Sequence, residues 1–128
     1  MFWVKIVFLM MGALIGLVYA IYHIGMPVML RRGKRQGGEW MLLTHQAYES
    51  GRKGDYQKSI ELARKAIELN PRASEAWRLI GNAYEFLGDG AKESGSYDQA
   101  RDYHKKATDA WNKAKEISPK IVIPGYHE

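Results

Sequence analysis

Four histidines, His23, His45, His104 and His127, are the side chains best suited to metal ligation or proton transfer, and no cysteine accompanies them. Each stands alone: no second histidine lies three or four residues away, the spacing that would bring two imidazoles to one helix face. No paired carboxylates, nucleophile-base set or glycine-rich phosphate loop stands out either. The chain is therefore predicted to be no enzyme, with no catalytic, cofactor-binding or metal-ligating residue. His104 is expected as a packed, hydrogen-bonded core residue and His23 as an interfacial side chain. Without cysteine there is no disulfide framework, thiolate nucleophile or lipoprotein anchor. One pair has a readable binding chemistry: Arg78 and Asn82, a turn apart on a helix, are spaced to hold a carboxylate or a peptide backbone.

These side chains must be placed by two very different halves. From Ile6 to Leu30 there is no Asp, Glu, Lys or Arg, and Arg31, Arg32, Lys34 and Arg35 follow at once. At about 1.5 Å per residue such a run crosses a hydrocarbon core of roughly 30 Å with some tilt. Residues 1–32 are predicted as a transmembrane anchor with a basic stop, and Pro27 falls where the helix leaves the membrane, placed to kink or end it. A cleavable leader ending near Val18-Tyr19-Ala20 fits less well, because the apolar run continues ten residues further and meets four positive charges. Those charges suit a cytoplasmic, anionic membrane face, so the amino terminus is expected outside and the remainder in the cytoplasm, at a bacterial inner membrane. Phe2 and Trp3 would sit in the outer aromatic belt, with Tyr19 and Tyr22 nearing the inner one. Gly12, Gly16 and Ala20 share one face, where small residues let a second helix approach closely.

The formal net charge of +5 belongs entirely to this anchor region. Residues 39–128 hold fourteen basic and fourteen acidic residues, so they carry no field suited to a phosphate backbone. No nucleic-acid partner is expected.

Gly33, Gly37 and Gly38 mark residues 33–38 as a flexible linker. From Trp40 to about residue 118 the apolar spacing is helical. Within it lie Gly54-Asp55-Tyr56, Ile60, Ala66-Ile67, Leu69-Asn70-Pro71, Ala76-Trp77, Ile80-Gly81-Asn82-Ala83-Tyr84 and Leu87-Gly88. This series resembles the tetratricopeptide repeat, a helix-turn-helix unit. The predicted fold is all-α: the anchor helix, then two antiparallel helix pairs over residues 39–119, at about 40–71 and 74–119, with a tail over 120–128. Pro71 stops one helix and sets up the next. Gly81 and Ala83 are small where a neighbouring helix must come close, beside a stripe of Trp77, Ile80, Tyr84 and Leu87.

Two departures from the repeat pattern matter. The first pair has Thr44 or His45 where glycine is usual, Ser59 where alanine is usual, and extra residues around Gly51-Arg52-Lys53. The second carries an insertion, Asp89 to Gly95, before Ser96-Tyr97-Asp98-Gln99-Ala100 resumes the pattern. Tyr97, Ala100, His104, Ala107, Trp111 and Ala114 then recur in threes and fours, a heptad seam ending near Ile117. Both helices of that hairpin are lengthened together by about two turns, roughly 10 Å, which preserves their register. The longer hairpin is either neutral or a contact arm tipped by Ser94-Gly95-Ser96.

Two repeats rarely bury a continuous core without caps. Another copy, a partner, the membrane surface or the tail Ile121-Val122-Ile123-Pro124 would complete the faces. The resemblance places a groove on the first helix of each repeat, here Glu75, Arg78, Asn82, Glu85 and Phe86, with Arg78 and Asn82 resembling part of the family's carboxylate clamp. Phe86 is expected either as an exposed anchor for a partner or as packing under the extended hairpin. The function this implies is a non-catalytic, membrane-anchored scaffold, an accessory or assembly subunit of a larger membrane complex. Its partners would be membrane subunits and a cytoplasmic protein or peptide, or another copy. The alternatives are a membrane-tethered adaptor for soluble client peptides and a periplasmic repeat factor in envelope or cytochrome biogenesis.

Overall fold

Apolar sequence carrying a single charge, Lys5, forms the first helix, α1, Phe2–Ala20, in a computed structural model that describes residues 1–20 and 26–124, with backbone alone over residues 26–36. Then come α2 (Met26–Arg52), α3 (Tyr56–Leu69), α4 (Ser74–Glu93) and α5 (Tyr97–Ile117). Among the described residues the fold is all-helical. The chain divides into two units, Met1–Gln36 and Gly37–Glu128.

In the first unit, residues Phe2–Tyr19 have a mean hydropathy of 2.1 and are not buried within the chain. By length and composition this helix can cross a membrane. It begins earlier than the expected span over 6–30, taking Lys5 into its first turns. A Cβ added at Gly12 or Gly16 would meet nothing within 4 Å, so that face is open. Tyr22, His23 and His127 lie outside the described residues, as do the side chains of Ala20, Arg31, Arg32, Lys34 and Arg35.

Pro27 lies within α2. One expectation near the junction is corrected. Residues 33–38 are helical rather than a linker; glycine costs a helix about 1 kcal/mol relative to alanine but does not forbid it.

The second unit is punctuated by local chemistry. Gly54 takes φ +82°, and the Asp55 carboxylate then accepts a hydrogen bond from the Lys58 N–H at 3.2 Å, capping α3. The Asn70 side chain accepts from the Arg72 N–H at 3.1 Å, turning the chain at Pro71. Gly95, at φ +83°, makes the tip between α4 and α5, where Ser94 Oγ donates to the Ala91 carbonyl at 2.9 Å.

With 20 and 21 residues against 14 for α3, α4 and α5 show the matched extension. Their seam is built of Ala100, Ala107, Trp111 and Ala114, all buried. Two members of the expected seam depart from it. Tyr97 is 65% exposed because it starts α5 at the hairpin tip, and His104 is only half-buried. The core is rich in alanine, with Ala47, Ala63, Ala66, Ala76 and Ala107 almost wholly buried, so the helices approach closely and few large side chains fill the gaps. Ser59, where the repeat pattern has alanine, is 1% exposed. The tail caps this core: Ile121 and Ile123 pack against it while Val122 points to solvent.

The tightest approach is Gly81 of α4 beneath the Trp111 ring of α5, where an added Cβ would lie 2.2 Å from the indole. Gly81→Ala should therefore cost about 1–3 kcal/mol by overpacking. Gly90→Ala, in the same helix with nothing within 4 Å, should instead gain up to about 1 kcal/mol from helix propensity. Thermal unfolding of the full chain followed by circular dichroism checks both; Gly81→Ala should melt several degrees lower and Gly90→Ala no lower than the parent.

Candidate functional site

A continuous groove follows the first helix of each hairpin. One section, of about 310 Å³, is lined by Tyr48, Arg52, Tyr56, Leu79, Asn82 and Phe86, with Gly51, Ser59 and Ala83. Another, of about 450 Å³, is lined by Trp40, Met41, Thr44, His45, Tyr48, Glu75 and Leu79. Tyr48 and Leu79 belong to both, so the two sections adjoin. The walls come from α2 and α4, and the start of α3 closes one end.

Trp40, Thr44 and Tyr48 recur every four residues along α2 and so share a side of it. Thr44 is seated by its own hydrogen bond, Oγ1 donating to the Trp40 carbonyl at 2.8 Å. Tyr56 opens α3 directly after the Asp55 cap, which aims its ring at α4. There it stacks on Phe86, centroids 5.0 Å apart and planes within 5°. Phe86 is nevertheless 56% exposed. It is thus held in place from one side and open on the other, and it does not pack under the extended hairpin.

The five residues expected on the groove divide. Glu75, Asn82 and Phe86 line it. Arg78 does not offer a free cation, because its guanidinium is held by both carboxylate oxygens of Glu75. That hydrogen bonding, ahead of a smaller opposing effect of burial, raises the Arg78 pKa still further. Asn82 Oδ1 accepts from Trp111 Nε1–H at 3.0 Å, and its amide NH2 remains as a donor for a ligand. Glu85 is drawn to α5, where its Oε2 lies 3.0 Å from His104 Nδ1. Capture of a chain terminus by Arg78 and Asn82 is therefore poorly served on the Arg78 side, where the guanidinium is already engaged.

Tyr48 and Tyr56 are the aromatic residues of the first section that sequence reasoning missed, along with Trp40, Met41, Arg52 and Leu79 elsewhere on the lining. The signal for Tyr48 was its four-residue register with Trp40 and Thr44. Tyr56 was hidden inside a turn motif, where Gly54 and Asp55 drew the attention. What the groove offers is apolar and aromatic surface edged by an amide, a hydroxyl and the Arg52 guanidinium. That is the chemistry of holding a polypeptide with an apolar or aromatic side chain inserted, not of making or breaking bonds.

Residues 42–72 match the tetratricopeptide repeat family model. Curated relatives include the photosystem I assembly protein Ycf3 of Rippkaea orientalis, 32% identical over 70 residues that cover 55% of this chain and 40% of that one. The same protein of Prochlorococcus marinus subsp. pastoris is 31% identical over 100 residues, 78% of this chain and 57% of that one. That of a Synechocystis species is 39% identical over 57 residues, 44% and 33% of the two chains. The chain thus spans between a third and just over half of the length of these relatives.

The Asn82–Trp111 bond makes Asn82 a structural residue as well as a groove residue. Asn82→Ala would leave the indole N–H without this acceptor, at a cost of about 1–3 kcal/mol. Asn82→Asp retains the acceptor and should recover most of that loss. Urea unfolding followed by tryptophan fluorescence, with the circular-dichroism signal as a second probe, measures the difference.

Proposed function

We propose that this chain is a non-catalytic assembly factor: a membrane-anchored repeat protein that holds a subunit of a larger membrane complex while the complex is built. The observation that carries the reading is the groove along α2 and α4, where Tyr48, Tyr56 and Phe86 present partly exposed aromatic surface at fixed positions. Rigid aromatic side chains with one face free are the usual anchors of protein interfaces. The relatives' role in photosystem I assembly supports the same class of work, here directed at a subunit of a membrane complex.

Anchoring is part of this proposal. The apolar α1 supplies a hydrophobic segment, and Arg31, Arg32, Lys34 and Arg35 favour the cytoplasmic face by the positive-inside rule. The amino terminus is then outside and the repeat unit inside, a single-pass arrangement suited to a bacterial inner membrane. The open face at Gly12 and Gly16 is the surface on which a helix of the client complex would dock. Anchor and groove acting on one complex gain from effective concentration, since binding at one raises the local concentration at the other.

The test is extraction of the tagged full chain from its native membrane in mild detergent, with comigrating proteins identified by mass spectrometry. A stoichiometric membrane-complex subunit should accompany the parent protein. It should be lost or reduced roughly tenfold in a Tyr56→Ala, Phe86→Ala double variant that keeps its helical circular-dichroism signal. A free monomer or homodimer in the parent sinks the assembly reading and leaves the client adaptor. Because the chain has no native cysteine, Ser94→Cys is a clean topology reporter. It should resist an impermeant thiol reagent in intact cells and react after permeabilisation; labelling in intact cells would place the repeats on the outer side.

A further inference from the structure

Away from the groove, where α4 passes α5, three ligating side chains converge. Glu85 and Asp89 lie one turn apart on α4, and His104 reaches them from α5; one donor atom of each lies within 4.8 Å of the others. His104 Nδ1 is 3.0 Å from Glu85 Oε2, and His104 Nε2 is 3.7 Å from Asp89 Oδ1. All three are partly open to solvent.

We infer that Asp89 and His104, with Glu85 orienting the imidazole, form a binding site for a divalent transition cation of the zinc class. A carboxylate can only accept, so Nδ1 carries the hydrogen and donates it to Glu85. His104 Nε2 then faces Asp89 Oδ1 across 3.7 Å. A cation seated between them would be bonded by both atoms. Zinc bonds nitrogen and carboxylate oxygen at about 2.0–2.2 Å, which sets two tetrahedral ligands about 3.4 Å apart. A shift of a few tenths of an ångström therefore closes the Asp89–His104 pair on such an ion. Glu85 acts as the carboxylate of a carboxylate-histidine-metal relay, holding tautomer and ring orientation. Water fills the remaining positions, for which the exposed edge leaves room.

Cation choice follows from the donors. An imidazole ligand selects zinc, nickel or copper over magnesium and calcium, which prefer all-oxygen shells. Two carboxylates with a neutral imidazole carry a formal charge of −2, which a dication balances.

Two features of the backbone make the convergence possible. Gly88 sits between the two carboxylates on α4, and a Cβ there would come within 2.8 Å of the imidazole Cε1 and Nε2. The ring rests against the helix only because that side chain is missing. Asp89 is the first residue of the insertion that lengthens the hairpin, so the extension itself supplies a ligand. Sequence reading found no metal centre because it looked for a second histidine along one helix, whereas the carboxylates come from the facing one.

The experiment is a zinc titration of the full chain in detergent by isothermal calorimetry, with ¹⁵N NMR of the histidine side chains. One saturable site is expected, with the His104 Nε2 resonance moving on binding and magnesium failing to compete. Asp89→Asn and His104→Gln should each weaken it roughly tenfold or more. Gly88→Ala, which keeps all three side chains but displaces the ring, should weaken it too. Asp89 is well exposed, so Asp89→Asn keeps the fold, and its circular-dichroism spectrum verifies that. No saturable zinc site in the parent, or unchanged affinity in Asp89→Asn, overturns the proposal; in the first case His104 is simply a structural partner of Glu85. Binding that survives His104→Gln also overturns it and points to His23, His45 or His127.

Discussion

The contact of the Trp111 indole with the bare backbone of Gly81 is the constraint on which the second hairpin depends. An alanine-rich core has few bulky side chains to set helix spacing, so one large ring lying on one glycine does that work. The Nε1–H of the same ring is donated to Asn82 Oδ1, which fixes the rotation of α4 about its axis as well as its distance from α5. Once that rotation is set, Leu79 and Phe86 face α2 and α3, and Glu85 faces α5. Groove and triad are then two sides of one helix whose orientation a single indole determines.

Tyr84 extends the same lock across three helices. Its hydroxyl accepts from Arg64 of α3 at 2.8 Å, and its ring stacks at 6.0 Å on Tyr103 of α5. Lys106 sits over both rings, within 6 Å of each centroid. A two-hairpin stack lacks the neighbours that longer repeat arrays use to bury their ends. Here cross-helix polar links and the tail residue Ile123, 8% exposed, take over part of that role. The four possible covers for the outer faces thus reduce at one end to the chain's own tail.

Helix pairs, turns and the lengthened hairpin were legible in the sequence because each rests on a strong local signal. Gly54-Asp55 demands a turn and a cap, Leu69-Asn70-Pro71 ends a helix, and the heptad spacing of α5 predicts the burial of Ala100, Ala107 and Ala114, though not that of Ala110. The close approach at Gly81 was legible for the same reason, since a glycine amid apolar residues of a helix implies a neighbour. Side-chain partners were not. Arg78 was read as a free cation, yet Glu75 lies three residues before it on the same face, and a helical i,i+3 ion pair competes with any ligand. Glu85 and His104 lie nineteen residues apart on facing helices, and no single-helix periodicity joins them. The glycines at 33, 37 and 38 misled in the opposite direction, being read as breaks where α2 runs through them.

The lengthened hairpin also changes what a short repeat array can do. Had α4 ended at Leu87-Gly88, where the repeat pattern turns, Gly88 would have served as a turn residue and Asp89 would have lain beyond the helix. Continuing the helix converts that glycine into a seat for an imidazole and brings Asp89 onto the face of Glu85. Two added turns leave the groove unaltered, because Phe86, its last lining residue on α4, precedes the insertion. The extension therefore adds surface without disturbing the part of the fold that resembles the repeat family. That separation lets one small helical unit carry an aromatic groove on one side and a polar cluster on the other, each able to vary without the other.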